Sequence, residues 1–128
     1  MSKGSEGEAR RFSVDLLDDD VVVVRFLPGA TDRDCTIAIN LVQKSYPGHP
    51  RLWNLENLSP DVSADDVMEN ARNVASTVFE PARVAVAASE PLLFGLARMY
   101  QAYLENATSN IEMETFYDEE DALRWLRT

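Results

Sequence analysis

The chain has 128 residues, 22 of them acidic and 12 basic, for a net charge of −10. That length fits one domain with a single core of ordinary size, and the charge sets the chain against phosphate backbones and anionic lipid, so no nucleic-acid partner is expected. Cys35, the one cysteine, excludes an intramolecular disulfide, and no apolar run approaches the roughly 20 residues of a membrane span.

In chain order, MSKGSEGEAR lacks the apolar stretch of a secretory signal and reads as a disordered tail over residues 1–10. A single domain is expected over 11–128, in a cytoplasmic protein. Phe12, Val14 and Leu16 alternate with Ser13 and Asp15, the pattern of a half-buried strand. Asp18, Asp19 and Asp20 interrupt it, and Val21 to Phe26 resumes as an apolar, β-branched run. The two segments predict an antiparallel hairpin turning on the aspartates. A helix is predicted over 31–45, with Cys35, Ala38, Ile39 and Val42 at i, i+3, i+4 and i+7, stopped by Pro47-Gly48 before a short strand at Leu52 to Leu55.

Ser63, with Asp66 three residues on, predicts the cap of a second helix whose buried stripe is Val67, Ala71, Val74, Ala75 and Val78, ended by Pro81. Val84 to Ala88 is small and apolar throughout, as in a central strand covered on both faces. The helix that follows carries the broad stripe Leu92, Leu93, Leu96, Met99, Tyr100 and Tyr103. Ile111 to Tyr117 gives the last strand. Asp118 to Asp121 puts negative charge on the first turn of a final helix, docked by Ala122, Leu123, Trp125 and Leu126. Strands and helices alternate after the hairpin, which predicts parallel pairing through right-handed crossovers. The fold class is α/β, a mixed sheet of about five strands with about four helices.

A strand RVAVAAS, the helix FGLARMYQAY, a closing strand and DEEDALRWL, in that order, resemble the small STAS-like proteins. These are similar to the sporulation anti-sigma-factor antagonists and to the lipid-carrying CRAL-TRIO domains. The resemblance covers roughly residues 51 to 126 by motif order, and the N-terminal hairpin fits the same fold. For the antagonists it implies a regulatory serine in an Asp-Ser-x-Gly turn before the second helix. The stretch in that place, NLENLSPDVSADD, offers Ser59 and Ser63 as phospho-acceptors but has neither the Asp-Ser pair nor the glycine. The CRAL-TRIO side of the resemblance implies a small, lipid-like ligand.

The chemistry-bearing side chains are sparse. His49 lies between Gly48 and Pro50 with no cysteine or histidine at metal-ligand spacing, so it reads as a loop histidine and no metal is expected. Cys35 falls on an apolar stripe, as a buried inert thiol does. The aspartates at 18 to 20 lack the spaced ligands and glycine of a calcium loop. No phosphate loop or nucleophile–base pair is visible, so neither enzymatic activity nor a cofactor is expected.

Two surfaces stand out. Sheets with parallel crossovers bind ligands beyond the carboxyl ends of their strands, here a rim of Asn54, Glu56, Ser89, Glu90 and Asp118 whose acidity favours a neutral or apolar ligand over an anion. On the wheel of the third helix, Phe94, Gly95, Arg98 and Gln101 fall away from the core stripe. A mid-helix glycine costs about 1 kcal/mol, and close approach of another backbone is the usual compensation. An arginine four residues from an aromatic suits an interface centre. The expected function is a non-enzymatic regulatory or scaffolding module acting through protein contacts, with itself as a homodimer or with another protein. The alternative is a binding protein for a small neutral or apolar ligand.

Overall fold

The computed structural model describes residues 11–59, 63–76, 80–108 and 110–128. The tail expected over residues 1–10 and the stripe residue Val78 lie outside them. In order, the elements are β1 (Phe12–Leu16), β2 (Val22–Phe26), α1 (Asp32–Ser45), β3 (Arg51–Asn54), α2 (Ala64–Ser76), β4 (Ala82–Ala87), α3 (Pro91–Ala107), β5 (Ile111–Phe116) and α4 (Glu119–Leu126). They form one mixed sheet in the order β1-β2-β3-β4-β5, with β1 antiparallel to β2 and the other pairs parallel. The fold is the mixed α/β sheet that the periodicity predicts.

The hairpin closes where the aspartates stand. Leu17 N–H donates to the Val21 carbonyl at 2.9 Å, and Asp20 takes φ 67, a left-handed conformation that aspartate adopts more readily than bulky residues. Side chains of β2 then alternate between two buried faces. Val22, Val24 and Phe26 join one core cluster, while Val21 and Val23 join another, so the run reads as continuously apolar. Because every crossover steps to the next strand in the same direction, a right-handed connection puts α1, α2 and α3 on one face. The helix α4 covers the other, where Ala85, Ala87 and Leu52 pack against Ala122 and Leu126. The short alanine side chains of β4 let that eight-residue helix lie close.

Helix starts follow the sequence signals. The Ser63 Oγ accepts the Asp66 N–H at 3.1 Å, Glu90 accepts the Leu93 N–H at 3.0 Å ahead of Pro91, and Asp118 accepts the Asp121 N–H at 2.8 Å. At α1, Asp34 reaches back to the Thr31 N–H at 2.9 Å and also takes the Arg11 N–H at 3.3 Å, which explains a carboxylate buried in the first turn.

One expected stripe is rotated. The buried residues of α3 are Leu93, Ala97, Gln101 and Leu104, whereas Leu92, placed in the core stripe by the wheel, is 51% exposed. Large apolar residues set the phase of that wheel, and they were outvoted by a small residue and a polar one. Gln101, expected on the outer face, is 6% exposed because its amide pairs with β5: Thr115 Oγ1 donates to its Oε1 at 2.8 Å, and its Nε2 donates to Glu114 at 3.2 Å and to Glu105 at 3.1 Å.

Candidate ligand cavity

Between the helix layer and the sheet lies a cavity of about 400 Å³. Its walls are Trp53, Val84 and Val86 from the sheet, Cys35 and Ile39 from α1, Val74 from α2, and Leu93, Ala97, Tyr100 and Leu104 from α3. The space follows from the strand pattern, since Arg51 and Trp53 alternate with Leu52, which is committed to the α4 face. Small residues at Ala82 and Ala97 leave room that larger ones would fill. Side chains of Arg33, Asp66 and Glu69 are exposed and also line the space, so they form its lip where α1 and α2 begin.

Polar groups are few and mostly paired with one another. Tyr100 Oη donates to Asn70 Oδ1 at 3.1 Å, and burial, with a smaller contribution from nearby Cys35, pushes the phenol pKa up. Burial, reinforced by Asp32 and Asp34, pushes the Cys35 thiol up to about 12, so the sulfur stays protonated and unreactive at neutral pH. At the lip the Asp32 carboxyl is pushed up to about 6, first by burial and then by a hydrogen bond and charge repulsion from Asp66. The other end of the cavity holds Arg51, 4% exposed, which donates from Nε to the His49 carbonyl at 3.0 Å and from Nη2 to the Tyr46 carbonyl at 3.2 Å.

The rim expected to bind a ligand is built differently from a pocket. Asn54 Nδ2 donates to Glu119 at 2.9 Å, Asn54 Oδ1 accepts the Glu56 N–H at 2.9 Å, and Glu90 and Asp118 cap their helices, while Ser89 is exposed. None of Asn54, Glu56, Ser89 or Glu90 lines the cavity. Glu90 and Asp118 are consumed by the helix starts that follow them, and the Asn54 amide by Glu119 in the first turn of α4. Arg25 completes this rim, donating to Glu119 at 2.7 and 3.1 Å and lying 3.4 Å from Asp15.

Burial alone would raise the Glu119 carboxyl, but hydrogen bonds from Arg25 and Asn54 outweigh it and hold the carboxyl below the usual range. A depressed folded pKa contributes stability that is present above the ordinary glutamate value of about 4.3 and is lost as pH falls through the folded one. Thermal melts of the wild type and Glu119→Gln are therefore expected to differ most near neutral pH and to converge as the pH falls through the depressed folded value. A constant difference across that range would show that the carboxylate charge contributes nothing.

The remaining candidates fall apart in space. Phe94 is half-buried and stacks on Tyr117 with centroids 4.1 Å apart and planes 6° from parallel, so this chain itself covers one side of the ring. Arg98 is exposed, and a Cβ added to Gly95 would meet nothing within 4 Å. Ser59 is half-buried beside the Ala30 carbonyl, and exposed Ser63 serves as the α2 cap. His49 packs edge-on to Tyr46 with Nδ1 3.3 Å from the Pro47 carbonyl oxygen. Among the described residues no group of three or more His, Cys, Asp or Glu side chains could hold a metal ion, and no helix is long and apolar enough to cross a membrane.

The sequence reading passed over Arg51, Trp53 and Ala97 as site residues. The available signal was the period-2 alternation that puts Arg51 on the same face as Trp53. Fold and site together define an α/β domain with a mixed sheet and a cavity under its helix layer. Neither protein-family models, curated proteins nor solved structures give a match to the chain.

Proposed function

We propose that this chain is a binding protein for a small, largely apolar ligand held between the helix layer and the sheet. The observation that carries this reading is the cavity itself. Packed interiors hold few voids larger than a water molecule, which occupies about 30 Å³ of liquid, whereas about 400 Å³ lies within the range of ligand pockets. Apolar walls gain roughly 25 cal/mol for each Å² covered, so a ligand that fills the space stabilises the fold as well as binding to it. The order of elements supports the STAS-like reading, whose CRAL-TRIO relatives carry lipids.

Nile red, a neutral apolar dye, is expected to bind the wild type saturably at one site and to raise its thermal midpoint. Ala97→Trp places a large side chain in the cavity and is expected to weaken that binding by about tenfold or more, with the midpoint changing by only a few degrees. Unchanged dye affinity in Ala97→Trp would rule the cavity out as the site.

A second reading, contact with another protein or a second copy, has the outer surface of α3 in its favour. Tyr117 is 64% exposed beside Phe94, Leu92 is 51% exposed, and Gly95 leaves room for a close neighbour. Native mass spectrometry of freshly purified protein reports subunit number and retained mass together. A retained organic mass on a monomer favours the cavity, and a bare dimer favours the α3 surface.

A further inference from the structure

Arg51 is a buried charged residue in the cavity wall whose hydrogen bonding is incomplete among the described residues. A buried guanidinium has five N–H donors and a charge that is costly to desolvate unless it is paired. Nε and Nη2 are taken by the His49 and Tyr46 carbonyls, while Nη1 makes no hydrogen bond among the described residues. No carboxylate among those residues forms an ion pair with it. Burial lowers its pKa to about 10, with no acidic neighbour among the described residues to offset that, and the group remains charged at neutral pH. Arg33, the other cationic residue in the wall, is exposed at the lip.

Charge along the cavity is polarised. The helix α1 runs antiparallel to the strands it connects, so Asp32 at its start and Arg51 just past its end lie about 20 Å apart along the helix direction. Asp32, Asp66 and Glu69 stand at the first end, Val84 lies abreast of Arg51 on the neighbouring strand, and the apolar wall of Trp53, Val86 and Tyr100 lies between the acids and Arg51. A negative head group is repelled at the lip and attracted at the far end, and a hydrocarbon chain is accepted in between.

We infer that the ligand is an amphiphile with a carboxylate head, of the free fatty acid class, seated head-first with its carboxylate on Arg51 and its tail running toward the lip between α1 and α2. This rests on the cavity reading above and adds to it the head group and the orientation. A charged acceptor on a buried guanidinium supplies the pairing that two carbonyls cannot, because carbonyl oxygens offer dipoles and no net charge.

Displacement of Nile red from the wild-type protein by three ten-carbon probes that differ only in the head, decanoate, decanol and decyltrimethylammonium, tests this without altering the chain. Decanoate is expected to compete at least about tenfold more strongly than decanol, and the cation more weakly than either. In Arg51→Met the advantage of decanoate over decanol is expected to shrink to about twofold or less, while Arg51→Lys keeps part of it. Equal competition by decanoate and decanol in the wild type, or preference for the cation, overturns the inference, leaves Arg51 as a prop for the end of α1, and leaves the apolar-ligand reading standing. If Nile red itself does not bind, that reading fails first. Should Arg51→Met not fold, the head-group ratios in the wild type still decide.

Discussion

Leu52→Ala is expected to lower the unfolding free energy by about 3 kcal/mol. Leu52 is fully buried on β3, paired with Val23 on one side and Ala85 on the other, and it faces the α4 layer. Its neighbours there include Ala85, Ala87 and Ala122, which have no side-chain length with which to close the gap. Truncation therefore leaves a hole and forfeits the transfer energy of the removed carbons, a combination that costs about 2 to 5 kcal/mol in packed cores. Denaturant titration checks it, with the midpoint falling and the slope unchanged. Leu92→Ala on the exposed shoulder of α3 serves as the control and is expected to stay within about 0.5 kcal/mol. A loss below about 1 kcal/mol for Leu52→Ala would mean that α4 settles into the gap.

Gln101→Leu is expected to cost about 1 to 3 kcal/mol although it makes α3 more apolar. The buried hydroxyl of Thr115 donates to the Gln101 Oε1 at 2.8 Å, and Glu114 accepts from Nε2 at 3.2 Å. Leucine offers neither group a partner, and an unsatisfied buried polar group costs more than its hydrogen bond contributes when made. Adding Thr115→Val to Gln101→Leu removes the orphaned hydroxyl and is expected to restore much of the loss. A double-mutant cycle with no coupling between the two positions would assign the glutamine a packing role only.

Most of the architecture was legible because it is written in period and punctuation. The hairpin, the crossover pattern and the starts of α2 and α4 follow from alternation, β-branched runs, and Ser or Asp ahead of the apolar residues, all of which act locally. The phase of α3 was not legible. A wheel weighted by large apolar side chains turns toward Leu92, and only the partner strand reveals that Gln101 is wanted for its amide. The cavity was less legible still. A void is made by what neighbouring elements leave between them, and Arg51 at the head of a strand looks the same in sequence whether it ends in water or under a helix layer. The rim residues carry a related ambiguity, since acidic and amide side chains beyond strand ends serve equally as ligand contacts and as helix caps.

The strand order has a consequence for how the chain reaches this structure. Each strand pairs with the one before it in the sequence, so no pairing requires closure of a loop longer than one crossover. Loop-closure entropy grows with the logarithm of loop length, and a sheet assembled this way meets that cost in similar small instalments. Each further pairing then adds one strand to an edge already formed, at the cost of closing a single crossover. The helix α4 is the exception, because it packs on β3 and β4 as well as on its neighbour β5. Its full docking surface therefore exists only when β3, β4 and β5 are in register.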